Sequence, residues 1–283
     1  MKHWLDYRKV HAGHDHTVVG TVRMLKAVSS PQLGNERALL VYLPPSYRQG
    51  VRRYPVLYMH DGQNLFDSAT SYAGEWQVDE TMQALSAEGL EAIVVGIPNM
   101  GRRRVAEYTP FRALHHRTGL GEAYMAFLAE TVKPLVDRDF RTLPGRKHTG
   151  IMGSSLGGLI SLYAFFHCAD VYGYAGAMSL AFGPVEAEAF AFVRAAPFTP
   201  GKVYMDVGTR EAHSGRRETQ RMRRDSESYL KSVRAMRDLL VGKGYELGAS
   251  FHYLEDPGGI HHESAWARRL PGALRFFLGR VHD

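Results

Sequence analysis

A glycine-flanked serine is the residue of this chain best suited to nucleophilic chemistry. Ser155 stands at the centre of Gly153-Ser154-Ser155-Leu156-Gly157-Gly158, which fits the pattern Gly-x-Ser-x-Gly. The motif follows a predicted strand at residues 147–152, and it opens a helical pattern at residues 157–168. This context is that of a nucleophile elbow, in which the turn lifts the serine hydroxyl above a sheet. We therefore predict that Ser155 is a catalytic nucleophile.

The predicted nucleophile needs a base and an acid, because a serine hydroxyl reacts poorly at neutral pH. In this arrangement the partners follow along the chain in the order serine, acid, histidine. His261 and His262 lie in a loop between the last predicted strand and the last predicted helix, and we favour His261 over His262. Glu211 lies beyond the strand at residues 202–207 and is favoured as the acid over Asp206, which lies inside that strand.

Stabilising the oxyanion of an ester's transition state takes two backbone N–H donors. One is expected from Leu156, the residue after the predicted nucleophile. The other is expected from the polar turn after the strand at residues 55–59, where Gln63 has the most suitable position. Gly62 precedes it and permits close approach of the backbone.

The elements that must position these residues alternate between strands and helices. Short, continuous apolar strands between helical patterns favour a mostly parallel sheet covered on both faces. The expected fold class is therefore α/β, with about eight strands, the first two or three of them antiparallel, in one domain over residues 1–283. Strands are predicted at residues 17–27, 37–43, 55–59, 92–97, 147–152, 173–178, 202–207 and 249–254. Helices are predicted at residues 76–85, 121–137, 157–168, 219–240 and 263–278, with one more between the sixth and seventh strands.

Composition excludes several classes of protein. The 283 residues are 45% hydrophobic and 23% charged, which is ordinary for a globular protein. No apolar run reaches the ~18 residues of a membrane span, and no signal peptide is recognisable, so we expect a cytoplasmic protein without a membrane partner. The single cysteine, Cys168, excludes an intramolecular disulfide framework. The net charge of +6 is modest, and no nucleic-acid-binding motif accompanies it, so no nucleic-acid partner is expected.

Six segments together resemble one family of α/β-hydrolases. This esterase family holds enterochelin esterases, feruloyl and acetylxylan esterases, S-formylglutathione hydrolases and the antigen 85 mycolyltransferases, and the resemblance covers residues 37–279. The segments are VYLPPSY (41–47), LYMHDGQNLF (57–66), RVAEYTP (104–110), GSSLGG (153–158), GTRE (208–211) and HHESAW (261–266). The bacterial esterases that resemble enterochelin esterase match best.

The resemblance implies a single-domain α/β-hydrolase that cleaves a small-molecule carboxylic ester through an acyl-enzyme. The family's nucleophile falls on Ser155, its histidine on His261 and its acid on Glu211. No cofactor or metal is implied. The sequence leaves the natural ester, the acyl length and the oligomeric state open.

Arg104 is the candidate substrate-binding residue. It follows the strand at residues 92–97, on the expected active-site edge, where its charge suits an anionic substrate. The alternative is that Arg104 pairs with Glu107 and only holds the loop.

Three other functions compete with ester hydrolysis. An acyltransferase would use the same acyl-enzyme and exclude water, and a non-catalytic relative of these hydrolases would only bind a ligand. A metal-binding protein would use histidines, for which the candidates are His11, His14, His16 and the pair His115-His116.

Overall fold

A computed structural model describes residues 3–13, 15–111, 119–213 and 218–279. Its nine strands are β1 (Leu5–Asp6), β2 (Thr21–Ser30), β3 (Asn35–Leu43), β4 (Val56–His60), β5 (Ile93–Ile97), β6 (Thr149–Ser154), β7 (Tyr174–Met178), β8 (Lys202–Gly208) and β9 (Phe251–Asp256). They form one sheet in the order β1-β2-β3-β5-β4-β6-β7-β8-β9.

The strand directions confirm the predicted α/β class with a mostly parallel sheet. β1 pairs with β2, β2 with β3 and β3 with β5 in antiparallel fashion. Every neighbouring pair from β5 through β4 to β9 is parallel. The strand that was not predicted is β1. It has only two residues, which are too few to produce a recognisable hydrophobic pattern in the sequence.

Helices cover both faces of the sheet. They are α1 (Tyr7–Val10), α2 (Val78–Ser86), α3 (Arg104–Glu107), α4 (Gly121–Ala126), α5 (Lys133–Asp139), α6 (Leu156–His167), α7 (Glu186–Ala195), α8 (Gln220–Gly242) and α9 (Glu263–Leu278). Apolar residues of α2 and α9 join the core on one face. Those of α4 to α8 join the core on the other. Alternate strand residues feed the two cores, as Tyr58 and Met59 of β4 do.

The predicted helix at residues 121–137 contains a π-helical segment at Phe127–Val132, between α4 and α5. Pro134 explains the irregularity. Its nitrogen carries no hydrogen, and its ring crowds the carbonyl of the preceding turn, which disrupts the regular α-helical ladder.

The N-terminal strand prediction was wrong in its boundaries. β2 begins at Thr21 rather than residue 17, after Gly20, whose φ is 68°. The residues before it bind carboxylates instead of a neighbouring strand: the Val19 N–H donates to Asp79 Oδ2 at 2.7 Å. Predicted helix 76–85 begins at Val78, because Gln77 adopts a left-handed conformation with φ 54°.

The parallel strands bring the predicted site residues to one edge of the sheet. Gln63 follows β4, Ser155 follows β6, Glu211 follows β8 and His261 follows β9, all beyond the carboxyl ends of their strands. Crevices at this edge are where α/β sheets bind ligands. In the parts of the chain that the structure describes, no helix has both the length and the apolar composition needed to cross a bilayer.

A buried ion pair ties the antiparallel strands to the loop after β5. Arg37 Nη1 and Nη2 donate to Glu107 Oε2 and Oε1, both at 2.9 Å. The side chains are 1% and 0% exposed, and the guanidinium lies 5.4 Å from the Tyr124 ring centroid and 5.2 Å from that of Phe127. Neither charge reaches water, so each depends on the other.

We expect Arg37→Met to destabilise the fold by about 3–5 kcal/mol, because it leaves the Glu107 carboxylate buried without an opposite charge, with the Asn35 amide as its remaining hydrogen-bond donor. The double variant Arg37→Met/Glu107→Met should recover most of that loss. Urea unfolding measures both. The exposed pair Arg23–Asp6 supplies the control, and Arg23→Met should cost less than about 1 kcal/mol. Equal stability of the single and double variants would contradict the assignment.

Candidate active site

Ser155 occupies a strained turn between β6 and α6. Its backbone has φ 58° and ψ −124°, a combination that costs a non-glycine residue about 1–3 kcal/mol. The turn is held by a hydrogen bond from Ser155 N to Met178 O on β7, at 2.9 Å. It also requires a glycine beside it, since a Cβ at Gly153 would lie 2.9 Å from Gly157 C. The predicted elbow therefore has the geometry that presents a hydroxyl above the sheet.

The structure brings Glu211 and His261 into direct contact. Glu211 Oε2 lies 2.7 Å from His261 Nδ1. The Glu211 side chain is fully buried, whereas that of His261 is 29% exposed. The imidazole edge packs at right angles to Trp266, with the ring centroids 5.1 Å apart. The carboxylate thus fixes one ring nitrogen, and the other remains available for chemistry.

His262, the alternative histidine, has a different task. It is the N-cap of α9, where its Nδ1 accepts a hydrogen bond from Ser264 N at 3.2 Å. Its side chain lines the same cavity as Ser155. The structure gives His262 no carboxylate partner among the described residues.

Asp206, the alternative acid, is fully buried within β8, whereas Glu211 follows that strand. Oδ1 accepts a hydrogen bond from Ser179 N at 2.9 Å, and Oδ2 lies 3.3 Å from Arg269 Nε. Burial raises the pKa of this carboxyl to about 6, although the Arg269 charge opposes the shift. Asp206 contacts an arginine and a backbone amide, not the His261 ring.

Ser179 links the two carboxylates and was missed by sequence reasoning. Its hydroxyl donates to Glu211 Oε1 at 2.7 Å and accepts from Trp266 Nε1 at 2.9 Å and Arg269 Nη2 at 2.8 Å. One donor and two acceptor positions are therefore all used. The available signals were its place directly after β7 and the spacing of Trp266 and Arg269, which lie on one face of α9.

The two predicted oxyanion donors lie at helix starts. Leu156 is the first residue of α6, so its N–H has no acceptor within that helix. Gln63 is in the 3₁₀ turn Gly62–Asn64, directly after β4. A Cβ at Gly62 would lie 2.6 Å from Ile97 N, so glycine is required where this turn approaches β5. The Gln63 amide oxygen accepts a hydrogen bond from Asn99 N at 3.1 Å.

Arg104 pairs with Asp61, which corrects the alternative pairing with Glu107. Arg104 Nε and Nη2 donate to Asp61 Oδ1 and Oδ2 at 2.7 and 2.8 Å. Glu107 is already occupied by Arg37. The guanidinium stacks on Tyr108 with its carbon 4.9 Å from the ring centroid. Sequence proximity favoured Glu107, but Asp61 follows the adjacent parallel strand and is nearer in space.

Several of the predicted site residues line one cavity of about 470 Å³. They are the predicted nucleophile Ser155, the histidine His261, the second predicted oxyanion donor Gln63 and the arginine Arg104. The aromatic side chains of Tyr72 and Trp266 also line it. The volume suits a small molecule.

His60 lies beneath the elbow and is neutral. Burial lowers the pKa of its imidazole to about 3. Its Nδ1 is hydrogen-bonded to Tyr124 OH at 2.9 Å. A permanently neutral ring supports the turn without adding charge next to Ser155.

The candidate metal-binding histidines do not assemble within the described residues. His16 Nδ1 lies 2.7 Å from Asp67 Oδ2, and its Nε2 lies 2.9 Å from the carbonyl oxygen of His11. Neither histidine joins a cluster of metal-ligand groups in that part of the chain. His14, His115 and His116 lie outside the described residues.

Known proteins resemble this chain in sequence and in fold. Uncharacterized protein YbbA of Bacillus subtilis (strain 168) is 27% identical over 264 residues, which are 91% of this chain and 98% of that protein. An IroE-like serine hydrolase from Shewanella oneidensis superimposes with a TM-score of 0.68 at 21% identity, covering 90% of this chain and 80% of its own. Siderophore hydrolase EstB from Aspergillus nidulans gives 0.69 at 19% identity, covering 95% and 98%. At 21% and 19% identity, the two structural matches establish a shared fold and nothing finer.

The family assignment rests on a family model that matches most of the chain. The model of the family described as "Putative esterase" matches residues 30–277, from the end of β2 to the end of α9. That span contains the strained serine turn, the Glu211–His261 contact and the cavity between them. This chain belongs to that esterase family of α/β-hydrolases.

Proposed function

We propose that this chain is a serine esterase that hydrolyses small-molecule carboxylic esters through an acyl-enzyme. The observation that carries the proposal is the Glu211–His261 contact of 2.7 Å at the cavity lined by Ser155. Ser155 Oγ attacks the ester carbonyl while His261 Nε2 takes its proton. The His261 Nδ1–H donates to Glu211, which orients the ring and stabilises its cation. The N–H groups of Leu156 and Gln63 stabilise the oxyanion.

The same residues complete the cycle. His261 returns the proton to the leaving alcohol, and a water molecule activated by His261 then hydrolyses the acyl-Ser155 ester. The 29% exposure of His261 favours hydrolysis over acyl transfer, because water can reach the ring from solvent. The names of the structural relatives, a serine hydrolase and a siderophore hydrolase, support a small ester substrate.

Replacement of the nucleophile is the first test. We expect Ser155→Ala to lower kcat/KM for p-nitrophenyl esters, from acetate to dodecanoate, by a factor of about 10³ or more, because alanine leaves no nucleophilic oxygen at the position that the strained turn presents. Ser161→Ala is the matched control, since that hydroxyl only hydrogen-bonds Gly157 O within α6. Equal activity of wild type and Ser155→Ala would eliminate Ser155 as the nucleophile for these esters.

The second test separates the two candidate acids. Glu211→Gln should lower kcat by about 10²–10⁴-fold, since an amide cannot stabilise the imidazolium as a carboxylate does. Asp206→Asn should leave kcat within about tenfold while lowering Tm, because it removes the charge that faces Arg269. Steady-state kinetics and thermal unfolding of both variants give the comparison. A larger loss of kcat in Asp206→Asn than in Glu211→Gln would reverse the assignment.

The role of Arg104 in substrate binding remains a prediction. It lines the cavity, and Asp61 fixes its position. We expect Arg104→Gln to raise KM for an ester with an anionic acyl group, such as a p-nitrophenyl monosuccinate, by about tenfold, and KM for the acetate by less than twofold. Arg103→Gln, an exposed neighbour, is the control. Equal changes for both esters would mean that Arg104 only holds the loop.

A further inference from the structure

Three carboxylates meet on the N-terminal side of α2, at a distance from the chemistry of Ser155. Glu75, Asp79 and Glu80 each direct one oxygen toward the others, and these oxygens lie within 4.8 Å of one another. Each of the three carboxylates also has one buried oxygen that accepts no hydrogen bond from the described residues, namely Glu75 Oε1, Asp79 Oδ1 and Glu80 Oε2. Asp79 is itself 0% exposed.

The N-terminal segment before β2 binds the other oxygens of Asp79 and Glu75. Asp79 Oδ2 accepts a hydrogen bond from Val19 N at 2.7 Å. Glu75 Oε2 accepts one from Thr17 Oγ1, also at 2.7 Å. These two carboxylates are therefore held in place by one oxygen, while the second oxygen of each has no donor among the described residues.

Most other buried carboxylates are paired with an arginine or a histidine, and this cluster has no such partner among the described residues. Eight Asp and Glu residues are buried in the described part of the chain, and six of them have an Arg or His nitrogen within 4.0 Å. Those six are Asp61, Asp67, Glu91, Glu107, Asp206 and Glu211. Glu263 accepts a hydrogen bond from Asn64 Nδ2 at 3.4 Å. Asp79 faces two further carboxylates instead.

We propose that Glu75, Asp79 and Glu80 form a binding site for a divalent cation, with Ca²⁺ as the ion. All the donors are hard carboxylate oxygens, which suit Ca²⁺ and Mg²⁺ rather than softer metals. Two oxygens bound to one Ca²⁺ at about 2.4 Å lie at most about 4.8 Å apart, and the three oxygens of the cluster stay within that limit. Ca²⁺ is favoured over Mg²⁺, because Ca²⁺ accepts carboxylate ligands in flexible geometry, whereas Mg²⁺ demands near-ideal octahedral geometry and retains several water molecules.

The site would fasten three parts of the chain that meet there. Thr17 and Val19 belong to the segment before β2, Glu75 ends the loop that supplies Tyr72 to the cavity, and Asp79 lies in the first turn of α2. Trp76, next to Glu75, packs on Trp266 with the ring centroids 5.5 Å apart. The ion is structural, and no step of the proposed ester hydrolysis passes through it.

Calorimetric and thermal titrations of the full-length, chelator-treated chain test the site. We expect one Ca²⁺ per chain and a rise in Tm of about 5 °C at a Ca²⁺ concentration ~100 times the Kd. Asp79→Asn should remove both effects. This variant also relieves the repulsion among the carboxylates, so it is expected to fold without the ion, and Glu80→Gln is the second variant. Glu36→Gln, an exposed acid on β3, should keep the wild-type response.

Terbium luminescence gives an independent readout. Tb³⁺ is a hard cation that occupies Ca²⁺ sites, and Trp76 is placed to sensitise it. Wild type should show luminescence that Ca²⁺ reverses, and Asp79→Asn should show none. Absence of any Ca²⁺ response in wild type would overturn the proposal and favour protons shared among the carboxylates. An undiminished response in Asp79→Asn would place the ion elsewhere, and a larger response to Mg²⁺ would overturn the choice of Ca²⁺.

Discussion

The buried carboxylate of Glu211 is the constraint on which the candidate site depends. A charge removed from water is retained only where hydrogen bonds and an opposite charge replace its hydration. Glu211 obtains these from three directions: the Gly208 N–H, the Ser179 hydroxyl and the His261 ring. The imidazole is consequently fixed by a group that cannot move without losing its own donors. Orientation of the base thus follows from the cost of burying the acid.

Ser179 carries this constraint into the core. Its backbone N–H binds Asp206 while its hydroxyl binds Glu211, so one residue sets the separation of two buried acids. Arg269 supplies the opposite charge beside Asp206 and also donates a hydrogen bond to the Ser179 hydroxyl. The two carboxylates therefore differ in task because they differ in partner. Asp206 is paired with the buried Arg269. Glu211 instead contacts His261, which is partly exposed and lines the cavity.

The parts of the site that were predictable from sequence are those set by local backbone geometry. The elbow at Ser155 was predictable because the strand, turn and helix are contiguous, and because the close approach of Gly153 to Gly157 requires a glycine at position 153. The position of Glu211 followed from the rule that ligands bind beyond the carboxyl ends of parallel strands. The α/β class followed from the alternation of apolar strands and amphipathic helices.

The interactions that sequence reasoning missed connect residues far apart in the chain. Ser179 meets Glu211 across 32 positions and Trp266 across 87, so no local pattern marks it. The alternative for Arg104, a pair with Glu107, rested on proximity along the chain, whereas the partner Asp61 lies 43 positions away beyond the neighbouring strand. The bounds of β2 were wrong for a similar reason, since Val19 binds Asp79, 60 positions further on. Propensity could not anticipate that contact.

Buried carboxylates are paired with basic side chains both at the candidate site and in the rest of the fold. Arg37 serves Glu107, Arg104 serves Asp61 and Arg269 serves Asp206, each in a setting that excludes most water. In this series the partner of Glu211 is distinct, because it is the imidazole of His261 rather than a guanidinium. Arg37 and Arg269 are buried and lie outside the lining of the cavity, whereas Arg104 and His261 are part of that lining. The ion pairs that stabilise the core are thus separate from the charged and imidazole groups that a bound molecule could contact.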